Sequence, residues 1–187
     1  MVLGLDKVME LVRKEKLVQH LSRKKPEGVE LELRVGEVWE LADDFYELGI
    51  ETRRLPEGRL VARYNRRKGR MPKYAELLPH HYCLLKTIES LNTPANIFPH
   101  LAPRTTLQRG GIGLFFSTTS PGYKGPLVVG AYNFHNKPFR LQMGTHILKI
   151  SFDYVDGSSA LYNGQWQDGR VSTGGKTEQQ TGFGHRK

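Results

Sequence analysis

Apolar residues near the start of the chain recur at helical spacing. Leu5, Val8, Leu11 or Val12, and Leu17, Val18 and Leu21 fall on one face, with charges opposite, which predicts an amphipathic helix over residues 5–21. Asp6 suits its first turn, where a negative charge meets the helix dipole. Pro26-Glu27-Gly28 then punctuates the chain. Beyond it the period drops to two: Val29, Leu31, Leu33 and Val35 alternate with Glu30, Glu32 and Arg34. That alternation predicts a strand with one wet face, ended by Gly36, with Val38 to Leu41 as a second strand. Leu60-Val61-Ala62 follows the turn-like Pro56-Glu57-Gly58, so residues 52–65 are predicted to form a hairpin. Further strands are expected over 82–90, 112–116, 127–133, 139–141 and 146–154. One helix followed by many short strands predicts an all-β fold, a barrel or jelly roll with an N-terminal helix. After residue 156 the composition turns to Gly, Ser, Thr, Gln and Asn, so 1–156 reads as the folded domain and 157–187 as a flexible C-terminal arm, either a free tail or one that wraps an edge.

Composition narrows this picture. A chain of 187 residues with 38% hydrophobic residues suits one domain. No apolar run approaches the roughly 20 residues a membrane helix needs, so no membrane role is expected. Residues 1–21 mix Asp, Glu, Lys and Arg with their apolar positions; that is no signal peptide, and a cytoplasmic location is expected. The single cysteine, Cys83, leaves no internal disulfide or multi-cysteine zinc site, and its apolar setting reads as a buried small hydrophobe. His80 and His81 are adjacent, so on a strand they face opposite ways and cannot share a metal ion, and His135, His146 and His185 show no ligand spacing.

The net charge of +9 suggests polyanionic partners. It concentrates in a basic insertion at 51–74: over 51–73, nine basic residues (Arg53, Arg54, Arg59, Arg63, Arg66, Arg67, Lys68, Arg70, Lys73) face only Glu51 and Glu57, a local excess of +7. Tyr64 and Tyr74 interleave with them, as on a surface that tracks nucleic acid. A solvated basic hairpin accounts for the same residues.

The stretch Leu101-Ala-Pro-Arg-Thr-Thr-Leu-Gln-Arg109 places two adjacent hydroxyls, Thr105 and Thr106, between Arg104 and Arg109. Phosphate oxygens need donors, and this set supplies charge-assisted ones; a polar turn between strands is the plain alternative. The stretch resembles the phosphate-binding motif of the dUTPase and dCTP deaminase family, Arg-Ser-Ser-Leu-x-Arg, with threonines for the serines. Ser120-Pro-Gly-Tyr-Lys-Gly125 resembles the family's Asp-x-Gly-Tyr-x-Gly turn, Gly28 to Gly36 its early strand with Glu32 at an Asp position, and Tyr132-Asn133 through Phe152 its last strands. The matches run in family order from about residue 3 to 152. The resemblance implies a β-barrel homotrimer with sites between subunits and a deoxynucleoside triphosphate as ligand. No cofactor is bound directly, and Mg2+ would arrive on the triphosphate. Arg104, Thr105, Thr106 and Arg109 would hold phosphate, and Tyr123 would pack on the deoxyribose unless it is a core tyrosine. Thr181-Gly-Phe-Gly184 is similar to the dUTPase tail, so Phe183 would cover the base.

Two positions depart from the pattern. Ser120 stands where dUTPases carry the Asp that orients water, and Gly130 stands where the deaminases carry the Glu that moves protons at C4. Asp153, Asp156 and Glu178 are the carboxylates that could be recruited instead. Three functions follow: deoxynucleoside triphosphate processing of the deaminase or dUTPase kind, a non-catalytic nucleotide-binding or regulatory member, and nucleic-acid binding through 51–73.

Overall fold

The computed structural model describes residues 1–65 and 73–180. In chain order its elements are α1 (Leu5–Glu15), β1 (Val18–Gln19), β2 (Leu31–Leu41), β3 (Glu47–Leu48), β4 (Thr52–Arg54), β5 (Gly58–Arg63), β6 (Tyr74–Leu77), β7 (Tyr82–Asn92), β8 (Ile97–Pro103), α2 (Thr105–Arg109), β9 (Ile112–Phe115), β10 (Lys124–Asn133), β11 (Phe139–Gln142), β12 (His146–Tyr154) and β13 (Glu178–Gln179), with one 3-10 turn at Gln167–Gly169. The expected mostly-β, barrel-like fold with an N-terminal helix is what forms. The main sheet has eight strands along the path β8-β12-β2-β7-β10-β9, with β1 added to β7 and β5 to β2. None of its helices is long and apolar enough to cross a membrane among the described residues.

Helix α1 is shorter than its apolar pattern. Val8 and Leu11 are buried, Asp6 lies in the first turn, and Arg13 and Lys14 lie in the last, which complements the dipole at both ends. Lys16 then turns left-handed (φ 56°) and its N–H bonds back to Leu11 O. The next apolar pair, Leu17 and Val18, is buried in a different way: Val18 pairs with Leu91 and Gln19 with Ser90 at the edge of β7. Helical spacing over 17–21 thus reflected burial against a strand.

Gly36 does not end the first strand. It sits inside β2, where Val35 and Gly36 are both buried and the register against β7 shifts between Val35 and Glu37. A Cβ at Gly36 would lie 3.1 Å from the Ile88 nitrogen and the Thr87 oxygen, so the bulge needs glycine for close approach rather than for termination. The first half of β2 pairs with β12 and the second half with β7 and β5. One strand thereby joins both halves of the barrel.

A buried ion pair locks this junction. Glu89 is 0% exposed and accepts 2.7 Å hydrogen bonds from both the backbone N–H and the Nε of Arg34. Arg34 Nη2 donates to His20 O at 2.6 Å. The core itself is apolar, with Leu31, Leu33, Leu85, Leu91, Ile147, Ile150 and Phe152 fully buried.

The expected 52–65 hairpin does not form. β5 pairs with β2, whereas β4 pairs with β3 and with β13 from the arm. Residues 157–180 wrap the barrel. Ser159 Oγ donates to Ala95 O, Tyr162 N–H to Pro121 O, and Gln180 N–H to Glu51 O.

Candidate functional site

The sequence motif at 101–109 folds as the end of a strand and the start of a helix. Pro103 closes β8, Arg104 caps α2 without a side-chain cap bond, and Arg104 N–H donates to Ile147 O at 3.0 Å. Leu107 anchors the turn in the core. Thr105 and Thr106 therefore open a short helix, not the polar turn between strands that was the plain alternative. Both are exposed, and neither hydroxyl has a hydrogen-bond partner among the described residues. Arg109 is exposed at the end of α2, and Arg104 lies 3.6 Å from Glu32. The four residues thus lie within the one short helix and its N-cap.

Tyr123 lies elsewhere. It lines a cavity of about 500 Å³ together with Tyr82, Phe116, Tyr162, Trp166 and Arg170, and none of the four motif residues lines it. Only 8% of Tyr123 is exposed; its hydroxyl donates to Pro126 O at 2.6 Å and its ring sits 5.9 Å from that of Tyr162. Burial pushes its phenol up to about 12, so it stays neutral. Hydroxyls of Ser117, Thr118, Thr119 and Ser120 edge the cavity, which has no carboxylate in its lining.

The arm forms one wall. Gln167 accepts from Lys124 N–H at 2.7 Å and donates to Gly122 O at 3.1 Å. Gly125 (φ 116°) permits this approach, because a Cβ there would lie 2.5 Å from the Asp168 Cα. The glycines of the Ser120–Gly125 turn thus serve the docking of the arm. Further along, Arg53 donates to Glu178 at 2.9 Å and to Gln165, and stacks 4.2 Å over the Trp166 ring. Arg170 donates twice to Glu178, at 3.1 and 2.7 Å. Burial pushes the Glu178 carboxyl up, and the bonds from Arg170 and Arg53 outweigh it, leaving the pKa below the ordinary value. Trp166 and Arg170 were not singled out from sequence. A tryptophan within an otherwise polar, glycine-rich tail was the available signal.

Gly130 faces Tyr82. A Cβ on residue 130 would overlap the Tyr82 hydroxyl and lie 2.8 Å from its Cε2 and 2.9 Å from its Cζ. Tyr82 therefore fills the volume of a side chain at 130. Burial raises its phenol pKa. Two of the three candidate carboxylates are engaged, Asp153 by His100 at 2.8 Å and Glu178 as above, while Asp156 is exposed and does not line the cavity.

The four described arginines of the basic insertion are all paired with carboxylates. Arg53 meets Glu178, Arg54 meets Asp44, Arg59 meets Glu40 and Arg63 meets Glu37. The partners come from outside 51–73, which the local charge count omitted. Arg66, Arg67, Lys68 and Arg70 lie outside the described residues, as do Phe183 and His185. His80 is in a turn with φ 54°, just before the strand expected from residue 82, and contacts Asn136 at 2.7 Å. Cys83 is buried as expected, its thiol pushed up to about 12 chiefly by burial.

A model of the dCTP deaminase-like family matches residues 10–155. A dCTP deaminase of Pyrococcus furiosus is 30% identical over 90 residues, covering 48% of this chain and 58% of that protein. One of Pyrococcus abyssi is 24% identical over 160 residues, covering 85% of this chain and 90% of that protein. The chain spans 58% of the length of the first curated relatives it matches. The crystal structure of a 2'-deoxycytidine 5'-triphosphate deaminase from Agrobacterium tumefaciens superposes with a TM-score of 0.61 at 17% identity, covering 81% of this chain and 48% of that one. That likeness is one of fold.

Proposed function

Because the chain belongs to the dCTP deaminase-like family, we propose that it binds a deoxynucleoside triphosphate without deaminating it. The observation that carries the second half is the Tyr82 side chain in the space at Gly130. Deamination needs a group that shuttles protons at C4, and loss of such a group costs about 10²–10⁴-fold. A neutral phenol held above its ordinary pKa by burial is a poor base at neutral pH, and the cavity lining offers no carboxylate.

Binding rests on other residues. Two exposed threonine hydroxyls between Arg104 and Arg109, unpartnered among the described residues, suit triphosphate oxygens, with Mg2+ arriving on the ligand. The aromatic cavity beside Tyr123 suits the nucleoside, and Phe183 would cover the base. Arg104, Thr105, Thr106 and Arg109 do not line the cavity, which the motif reaches only through Leu101; a site completed between copies, as in a homotrimer, would bring the two together.

Calorimetry with dCTP and dUTP, run beside assays for ammonia and pyrophosphate release with Mg2+, tests this. Saturable binding without turnover is expected. Turnover abolished by Arg109→Ala overturns the non-catalytic reading, and absence of binding to either nucleotide overturns the nucleotide reading. Mass measurement by light scattering tests the trimer.

A further inference from the structure

Glu32 is a carboxylate shared among two cations and an imidazole. Its Oε2 accepts from Lys24 Nζ at 2.5 Å and lies 3.9 Å from His146 Nδ1, while Oε1 lies 3.6 Å from Arg104 Nε. His146 Nε2 is fixed 3.1 Å from Ser22 Oγ. The Ser22 to Pro26 loop also frames a small cavity of about 90 Å³ with Lys24, Lys25 and Glu32 in its wall. Two permanent cations and one titratable ring thus meet one carboxylate, immediately before the exposed hydroxyls of Thr105 and Thr106. The two oxygens of Glu32 bridge Lys24 and Arg104 as two oxygens of a phosphate would.

We propose that Lys24 and His146 extend the phosphate subsite of Arg104, Thr105, Thr106 and Arg109, and that Glu32 is an internal anion that the incoming phosphate displaces. This rests on the nucleotide reading above and adds residues to it. Exchanging one anion for a more highly charged one leaves both cations paired, so the free protein carries no unpaired charge in the cluster while it waits for ligand. Burial first, then Lys24 and Arg104, hold His146 below its ordinary pKa, with Glu32 and Glu89 opposing. Arg34, its cross-strand partner, is engaged by Glu89 and the His20 carbonyl. The ring is therefore mainly neutral near pH 7, and a phosphate placed beside it raises its pKa. Binding then takes up a proton and tightens as pH falls from the pKa of the liganded ring to that of the free ring, which lies below 6.5.

The test is calorimetry on the full chain with dCTP and with inorganic tripolyphosphate, in buffers of different ionisation enthalpy. Lys24→Ala is expected to weaken both ligands about ten- to hundredfold, Lys24→Arg to retain most affinity, and Glu32→Gln to tighten binding several-fold. His146→Gln is expected to abolish the part of the proton uptake that the ligand's own titration does not supply. A purely structural role for Glu32 predicts the opposite sign, weaker binding on its neutralisation. If dCTP binds and needs Arg109 but ignores Lys24→Ala, the extension is wrong and the nucleotide reading stands. If dCTP binds but tripolyphosphate does not, the cluster is not a phosphate subsite. If neither binds, both fall together.

Discussion

The hydroxyl of Tyr82 occupies the space that a side chain on Gly130 would take. The two residues stand on neighbouring strands, in a register that sets Gly130 opposite Leu84 and Tyr82 opposite Tyr132. A β-carbon at 130 can be accommodated only if the phenol moves. Gly130→Ala is therefore expected to cost about 1–3 kcal/mol through overpacking, and to cost little in a Tyr82→Ala background. Denaturant unfolding of the four proteins of this cycle gives the coupling; strict additivity would show that the phenol does not fill this space.

The Arg34 and Glu89 pair is predicted to be the most sensitive polar contact in the barrel. Arg34→Ala leaves a fully buried carboxylate without its cation, which costs about 3–5 kcal/mol. Chemical denaturation measures the loss, and a cost below about 1 kcal/mol would mean that water reaches Glu89.

Acid is expected to free the arm before it unfolds the barrel. The Glu178 pKa lies below the ordinary 4.5 because the bonds from Arg170 and Arg53 outweigh burial. A depressed folded pKa gives stability that is complete above 4.5 and is lost as pH falls through the folded value. Hydrogen exchange across residues 157–180 should therefore accelerate below about pH 4.5 while β7 and β12 remain protected. Glu178→Gln should produce the same acceleration at neutral pH and remove its pH dependence.

Cys83 should be silent towards thiol reagents in the native state. Its thiol is buried and its pKa is pushed up to about 12, and the thiolate is the reactive species. Labelling should follow the rate of global unfolding, measured in parallel by fluorescence, and rapid labelling in buffer would place Cys83 at the surface.

Much of the barrel was legible because alternation is a local signal: 146–154 was read with the bounds that β12 has, and the 29–35 alternation matches the burial of Leu31, Leu33 and Val35. What escaped was non-local. Nothing near Gly36 reveals that Ile88 and Thr87 press against its α-carbon. Leu17 and Val18 fit a helix as well as a strand until Leu91 is known to lie beside them. The arginines of 51–63 looked unopposed because their carboxylates, at 37, 40, 44 and 178, lie outside the segment. At the candidate site the residue types of the phosphate motif were readable, whereas the Tyr82 and Gly130 contact and the gathering of Lys24, Arg104 and His146 around Glu32 require the folded chain.

Arg53 and Glu178 are joined across 125 positions of sequence. A loop of that length closes late, because the entropy of bringing its ends together is recovered only once both ends have something rigid to meet. The barrel must therefore stand before its last wall can be fitted. An unfinished molecule, with strands paired but the Trp166 segment still loose, would leave an aromatic hollow open to water, and that species is the one most exposed to unwanted association.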